Sequence, residues 1–325
     1  MTLQQLRYIV ALDDHRHFAK AAEECAVTQP GLTIQLKNLE EEIGIKIFDR
    51  TKVPLKPTVL GAEIITRAKK VLREADAIRD FVVNQKDDLQ GTVTMGVIST
   101  LSPYLMPLFI KAMKDVAPKM HFNIIERGTG ELLNGLETGT IDIALMATPT
   151  GSTTFKEHPV FNEPFVAYLY PDHPMAAAKI YKMQPQDRPE LLLLQSEYCY
   201  NAQLLDICSI TEHASTWDRF NYNISSIETL KNLVRAGLGF AIVPQLSVLN
   251  EQDTSLFKPF AEPTPVREIS LVVADTFSRK LLLEKMSSAI YNCLPDSLKQ
   301  NTTYKKIRWN DSPYFINAVS NHGKN

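Results

Sequence analysis

The sequence predicts an α/β chain in three parts: a helical head with a helix-turn-helix and a short wing, a long linker helix, and two α/β lobes. Three observations carry this. Residues 3–43 hold three short runs at helical spacing, the third with a cap and a stop. Residues 58–84 hold a sustained apolar repeat without proline. From Thr92 onward, apolar strands alternate with helical stretches.

In the head, Leu3, Leu6, Ile9 and Val10 recur at the spacing of one helix face. Residues 18–24 make a second helix, with Ala19, Ala21 and Ala22 as small packing residues. Thr28 then caps a third helix, and Pro30 falls in its first turn, where a missing N–H is tolerated. That helix spans 29–43, turns Leu32, Leu36, Leu39 and Ile43 to one side, and stops at Gly44. Helix, tight turn and capped helix form the helix-turn-helix pattern. The outward face carries Thr28, Gln29, Pro30, Thr33, Gln35, Lys37 and Asn38. Such side chains reach base edges and phosphates, and they equally suit a solvated face. Residues 46–50 are expected to pair with a return strand at 53–55, making a wing whose Arg50, Lys52 and Lys56 meet phosphates. Residues 1–60 hold eight basic and eight acidic residues. DNA binding by a neutral module needs segregation, with Glu40, Glu41 and Glu42 turned away. It also favours a dimer reading two half-sites.

The linker offers that dimer. Ile64, Ala68, Val71, Ala75, Ile78 and Val82 advance in steps of four and three, the a/d spacing of a coiled seam. The alternative is an amphipathic helix packed on its own domain. A charged, glycine-ended stretch at 86–91 closes the segment. The expected divisions are 1–60 for the head, 58–87 for the linker, 91–299 for the lobes and 300–325 for a polar extension, flexible or partner-binding.

In the lobes, strands are expected at 92–98, 122–125, 141–146, 165–170, 191–194, 240–243 and 269–273. Helices are expected at 102–116, 131–136 and 227–236, with Gly135 and Gly139 ending the second. The alternation points to parallel sheets flanked by helices. Ligands bind such folds beyond the carboxyl ends of strands. The turns at 99–102 and 128–130 sit there, with hydroxyls on Ser99, Thr100, Ser102 and Thr129. Ser102 and Thr129 also suit helix caps.

Composition narrows the function classes. Hydrophobic residues make up 44% and charged residues 22% of the 325 residues, an ordinary globular mix, with net charge −2. No apolar run is long enough to cross a membrane. The opening residues lack a secretory pattern, so a cytoplasmic chain is expected. Its four cysteines, Cys25, Cys199, Cys208 and Cys293, then face a reducing compartment, where structural disulfides are rare. Cys199 and Cys208 alone are compatible with two core cysteines or with a reactive pair. His158, His173 and His213 have no ligand-like spacing, so no metal is expected, and no phosphate loop or dinucleotide signature implies a cofactor.

The head and linker resemble the LysR-type transcriptional regulators. The matching residues are Phe18-Ala19-Lys20-Ala21-Ala22, Val27-Thr28-Gln29-Pro30, Leu32-Thr33, Leu39-Glu40, Ile43-Gly44, Phe48-Asp49-Arg50 and Thr58 to Gly61. The later chain looks like the same family's two-lobed, periplasmic-binding-protein-like effector domain, leaving uncovered the extension after about Lys299. Within the family the chain is most similar to the peroxide-sensing branch, through His15-Arg16-His17-Phe18, Cys25, Thr100 with Pro103-Tyr104-Leu105, Thr129, and Cys199 with Cys208. It departs at Tyr198, where that branch leads to a histidine, and between the cysteines at 200–207.

The resemblance implies a non-enzymatic regulator binding double-stranded DNA, a homodimer and homotetramer, hydrogen peroxide as signal, and RNA polymerase as a further partner. It makes Cys199 the peroxidatic thiol and Cys208 its resolving partner, with Thr100 and Thr129 holding peroxide; separately, Arg267, just before the strand at 269–273, is a candidate electrostatic helper. Cys25 and Cys293 remain packing residues. Two alternatives stand beside it. One is a family member sensing a small anionic metabolite in the interlobe cleft. The other is a thiol peroxidase, against which the residues preceding Cys199 lack the Pro-x-x-x-Thr-x-x-Cys arrangement.

Overall fold

The computed structural model describes residues 1–84, 89–182, 190–194, 198–208, 222–299 and 303–308. The side chains at 73, 77, 79–84, 198, 199, 205 and 208 lie outside the described set. The chain divides into two units. One comprises Met1–Asp88, Asn134–Ile141 and Thr276–Arg279; the other comprises Leu89–Leu133, Asp142–Asp275 and Lys280–Asn325.

The first unit begins with α1 (Leu3–His15), opened by a capping box in which Thr2 accepts from the Gln5 N–H at 3.2 Å and Gln5 accepts from the Thr2 N–H. Then follow α2 (Phe18–Glu24) and α3 (Gln29–Ile43). Thr28 caps α3, and Gly44 ends it at a φ of 72°, a left-handed turn natural to glycine. Ile9, Leu12, Ala21, Leu32 and Leu36 form the shared core. The wing consists of β1 (Phe48–Asp49) antiparallel to β2 (Lys56–Pro57). The return strand therefore falls after the expected 53–55. Pro54 has no N–H for a ladder, and Val53 stands 98% exposed.

The long helix α4 (Val59–Asn84) starts directly after the wing. A Cβ on Gly61 would lie 1.9 Å from the Ile47 carbonyl oxygen, so only glycine admits this approach. Ile65, Ala68 and Leu72 of α4 join the head's own core. Lys69 pairs with Asp13 at 3.1 Å and Arg7 with Asp76 at 3.0 Å, tying α4 to α1.

In the second unit, β3 (Gln90–Ile98) pairs in parallel with β4 (Lys119–Arg127) and β5 (Ile143–Thr148). Two long strands, β6 (Phe155–Tyr168) and β9 (Thr264–Ala274), run antiparallel to each other, and β5 pairs antiparallel with β9. Further along, β6 pairs with β7 (Ala241–Pro244) and β8 (Phe257–Pro259). The sheet is thus mixed, correcting the expected parallel arrangement. Alternation of strands and helices does not report strand direction. Helices α5 (Ser102–Val116), α6 (Thr129–Thr138), α8 (Ile227–Arg235) and α9 (Lys280–Cys293) accompany it.

The expected strand at 191–194 is reduced to one bridge between Leu191 and Phe240. Gly135 lies inside α6, where a Cβ would meet Ile141 at 2.5 Å, so it serves packing and not termination. Only the last four residues of β6, 165–168, are legible in the sequence, because Pro159 and Pro164 break the apolar pattern and a register shift follows Pro159. Part of the polar extension is ordered as β10 (Tyr304–Lys306), parallel to β9. Phe165, Tyr168, Leu230, Phe240 and Ile242 centre the second lobe's core, and α7 (Tyr198–Cys208) contributes Tyr200 and Leu204 to it.

Candidate functional site

Two sites follow from these elements. In the head, Thr28, Gln29, Pro30 and Lys37 are exposed along α3, with Thr33 half-buried. Thr28 accepts from the Gly31 N–H at 3.3 Å, and the Thr33 hydroxyl donates to the Gln29 carbonyl at 2.9 Å. Lys37 faces Glu41 at 3.5 Å. At the wing, Lys46, Arg50, Lys52 and Lys56 line one groove of about 660 Å³.

Within the acid run, Glu40 differs from Glu41 and Glu42, which are exposed. Glu40 is 2% exposed. One carboxylate oxygen accepts from the Ile47 N–H at 2.8 Å, and the other meets Lys46 at 3.3 Å and Arg50 at 3.1 Å. Glu40 therefore fixes the wing's root to α3 and aims Arg50. Sequence reading missed it because its neighbours Glu41 and Glu42 are exposed and mask it. Glu40→Ala is expected to destabilise the head by about 1–3 kcal/mol, since it strands the buried Ile47 N–H. A urea melt of the head's transition should show the lowered midpoint.

Along α4, Val71 is 45% and Ile78 69% exposed, while Ile64 and Ala75 are partly buried. Ala68 is buried in its own head, and the side chain of Val82 lies outside the described residues.

The second site is built on β6 and β9, with the turns after β3 and β4. Register pairs Ile98 of β3 with Arg127 of β4. Thr100 and Thr129 therefore occupy equivalent positions beyond neighbouring parallel strands, at a strand spacing of about 4.8 Å. Both are buried. Ser102 does not cap α5; Leu101 holds that position without a side-chain bond.

Register also sets Glu163 opposite Arg267. Arg267 is 1% and Glu163 0% exposed. The guanidinium donates to Glu163 Oε2 from Nε at 2.9 Å, with Nη2 at 2.7 Å. From Nη1 it donates to Thr100 Oγ1 at 2.8 Å, and from Nη2 to the Thr100 carbonyl at 3.2 Å. Glu163 Oε1 accepts from the Leu246 N–H at 3.0 Å. Burial pushes the Glu163 carboxyl up, and Arg267 and the Leu246 N–H oppose that push. One ion pair thus holds Thr100 beyond the first sheet's strands and Leu246 beyond β7. Because Thr100 Oγ1 accepts from Arg267, its own proton is free to point at a ligand oxygen.

Helix α7 packs beside this pair. The Tyr200 hydroxyl donates to the Ile242 carbonyl at 2.5 Å, and its ring tilts against Phe165. Burial, together with the nearby Glu163, raises the Tyr200 pKa against the pull of Arg267. Asn201 donates to the Leu194 carbonyl, while its own Oδ1 is buried without a partner among the described residues. The side chains of Cys199 and Cys208 lie outside the described residues, but both positions belong to α7. At about 1.5 Å rise per residue, their Cα atoms stand roughly 13 Å apart along the helix.

The remaining thiols differ. Cys25 and Cys293 are free and half-buried, and burial pushes both thiols up. Cys293 also donates to the Ile290 carbonyl at 3.1 Å. Among the described residues there is no metal-like cluster and no helix long and apolar enough to span a membrane.

Comparison with known proteins now bears on these sites. Residues 3–62 match the bacterial regulatory helix-turn-helix protein family of lysR type, and residues 86–286 match the LysR substrate binding domain. The chain belongs to the LysR family of transcriptional regulators. LysR-family relatives include the hydrogen peroxide-inducible genes activator of Haemophilus influenzae, 34% identical over 89% of this chain and 96% of that protein. The DNA-binding transcriptional dual regulator OxyR of Escherichia coli is 32% identical over 89% and 95%. Among solved LysR-type structures, full-length OxyR from Pseudomonas aeruginosa, carrying a cysteine-to-aspartate substitution, superposes with a TM-score of 0.77 at 34% identity, covering 90% of this chain and 99% of that one. A cysteine-to-serine OxyR mutant from Corynebacterium glutamicum, bound to H2O2, superposes with a TM-score of 0.62 at 27% identity, covering 94% and 98%. The LysR assignment makes the chain a DNA-binding regulator, a class without enzymatic activity.

Proposed function

We propose that this LysR-family chain is a hydrogen-peroxide-sensing regulator of oxidative-stress genes, switched by a reversible Cys199–Cys208 disulfide. The observation that carries the reading is that one helix, packed beside the buried Arg267–Glu163–Thr100 assembly, bears both cysteines. The relatives' names and the peroxide-bound neighbour support peroxide as the signal. Cys199 stands in the first turn of α7, where free backbone N–H groups favour a thiolate. The thiolate attacks one peroxide oxygen, breaks the O–O bond, becomes a sulfenic acid and releases hydroxide. Thr100 and Thr129 hold the oxygens. Cys208 then displaces water from the sulfenic acid to give the disulfide. A disulfide needs Cα atoms within about 7 Å, so α7 must unwind. A buried Asn201 Oδ1 without a partner among the described residues lowers the cost of losing that helix.

On DNA, Thr28, Gln29, Pro30, Thr33 and Lys37 of α3 read the major groove, and Arg50 meets a phosphate. The chain dimerises through α4, where Val71 and Ile78 supply the exposed stripe, with Ile64 and Ala75 partly buried beside it. Ala68, already packed within the head, lies at its border. Homodimers pair into a homotetramer in the cytoplasm, and RNA polymerase is the downstream partner.

DNA fragments selected from a random pool by the reduced protein provide the test. Peroxide should change the footprint of the wild type and leave that of Cys199→Ser unchanged. A Cys199→Ser protein that responds like wild type would overturn the reading.

A further inference from the structure

We infer that residues 303–308 form a clasp that closes on the helical state of α7 and is released when Cys199 and Cys208 join. The inference rests on the redox reading above. The segment lies beyond the family-matched region at 86–286, and its docking is specific. β10 adds in parallel to β9, with Tyr304, Lys305 and Lys306 opposite Thr264, Pro265 and Val266. The Thr264 N–H donates to the Thr303 carbonyl at 2.9 Å, and the Ile307 N–H to the Val266 carbonyl at 2.8 Å. Lys306 pairs with Glu268. The Ile307 side chain is 2% exposed, so an apolar anchor is buried at the end of an otherwise exposed strand.

The second contact of this segment makes it more than an edge strand. Gln203 of α7 is 1% exposed, and its Nε2 donates to the Ile307 carbonyl at 3.4 Å. Gln203 lies between the two cysteines on the same helix. On the other side, Val266 immediately precedes Arg267, which holds Thr100. The clasp therefore joins the strand carrying the buried arginine to the helix that must unwind.

Unwinding α7 moves Gln203 away from the Ile307 carbonyl. Coupling between two equilibria is reciprocal. If unwinding of α7 loosens the clasp, loss of the clasp must raise the population of unwound α7 by the same factor, and disulfide closure, which proceeds from that population, quickens with it.

The test compares three reduced proteins treated with hydrogen peroxide: the full chain, a chain ending at Lys299, and the full-length Ile307→Ser variant, which keeps the length but loses the anchor. Disulfide closure is followed by timed alkylation and mass spectrometry. Sulfenic acid formation is followed separately with dimedone in a Cys208→Ser background. Closure is expected to quicken about fivefold in both altered proteins, at the low end of ordinary coupling, with the dimedone rate unchanged. Trypsin should also cut after Lys305 and Lys306 faster in the oxidised full chain than in the reduced one. Unchanged closure in Ile307→Ser, or equal cleavage in both redox states, would overturn the clasp alone. Failure of the full chain to form the Cys199–Cys208 bond would overturn the redox reading and the clasp with it.

Discussion

Glu163→Gln is expected to cost the effector domain about 3–5 kcal/mol, because it leaves the Arg267 guanidinium buried without a counter-charge. For a domain of this size that lowers the melting temperature by roughly 10 °C. Calorimetry of the second unit's transition checks it. The double variant Glu163→Gln with Arg267→Met should regain much of the loss, since replacing both members removes the stranded charge. It should still fail to respond to peroxide, because Thr100 then loses the donors that orient its hydroxyl. A loss under about 1 kcal/mol in the single variant would mean that the pair is not the buried ion pair described here.

Cys208→Ser is expected to separate the two chemical steps. Cys199 should still react with peroxide and accumulate as a dimedone-reactive sulfenic acid, while no intramolecular disulfide forms. Cys199→Ser should abolish both steps, with a loss of at least about 100-fold in the rate of peroxide-dependent thiol oxidation, since the serine hydroxyl is not an oxidisable nucleophile. Stopped-flow peroxide consumption and dimedone labelling read the two variants. Equal rates in Cys199→Ser and wild type would remove Cys199 from the chemistry.

The legible parts of the fold share a physical cause. α3 was readable to its ends because Thr28, Pro30 and Gly44 mark its boundaries locally. α5 was readable because its apolar residues keep one period. β6 was mostly hidden because its prolines erase the alternation that marks a strand, although the strand survives by shifting register. Strand direction was invisible, since it depends on which distant segments pair. At the redox site, Thr100 and Thr129 were found from strand-to-helix turns, and register explains why they are equivalent. Glu163 was missed, yet it left a signal: a lone acid in the otherwise uncharged run 159–170. An acid isolated in a buried strand is a reason to look for a basic partner. Glu40 left no such signal, because only burial distinguishes it from Glu41 and Glu42. β10 was illegible because its residues are exposed and polar, and its anchor Ile307 is a single apolar side chain.

The most direct test of the account is mass spectrometry of differentially alkylated peptides from reduced protein treated with near-stoichiometric hydrogen peroxide. The account predicts a Cys199–Cys208 disulfide within seconds, with Cys25 and Cys293, whose thiols burial holds protonated, still alkylatable after unfolding. Survival of all four thiols, or equally slow oxidation of all four, would contradict it.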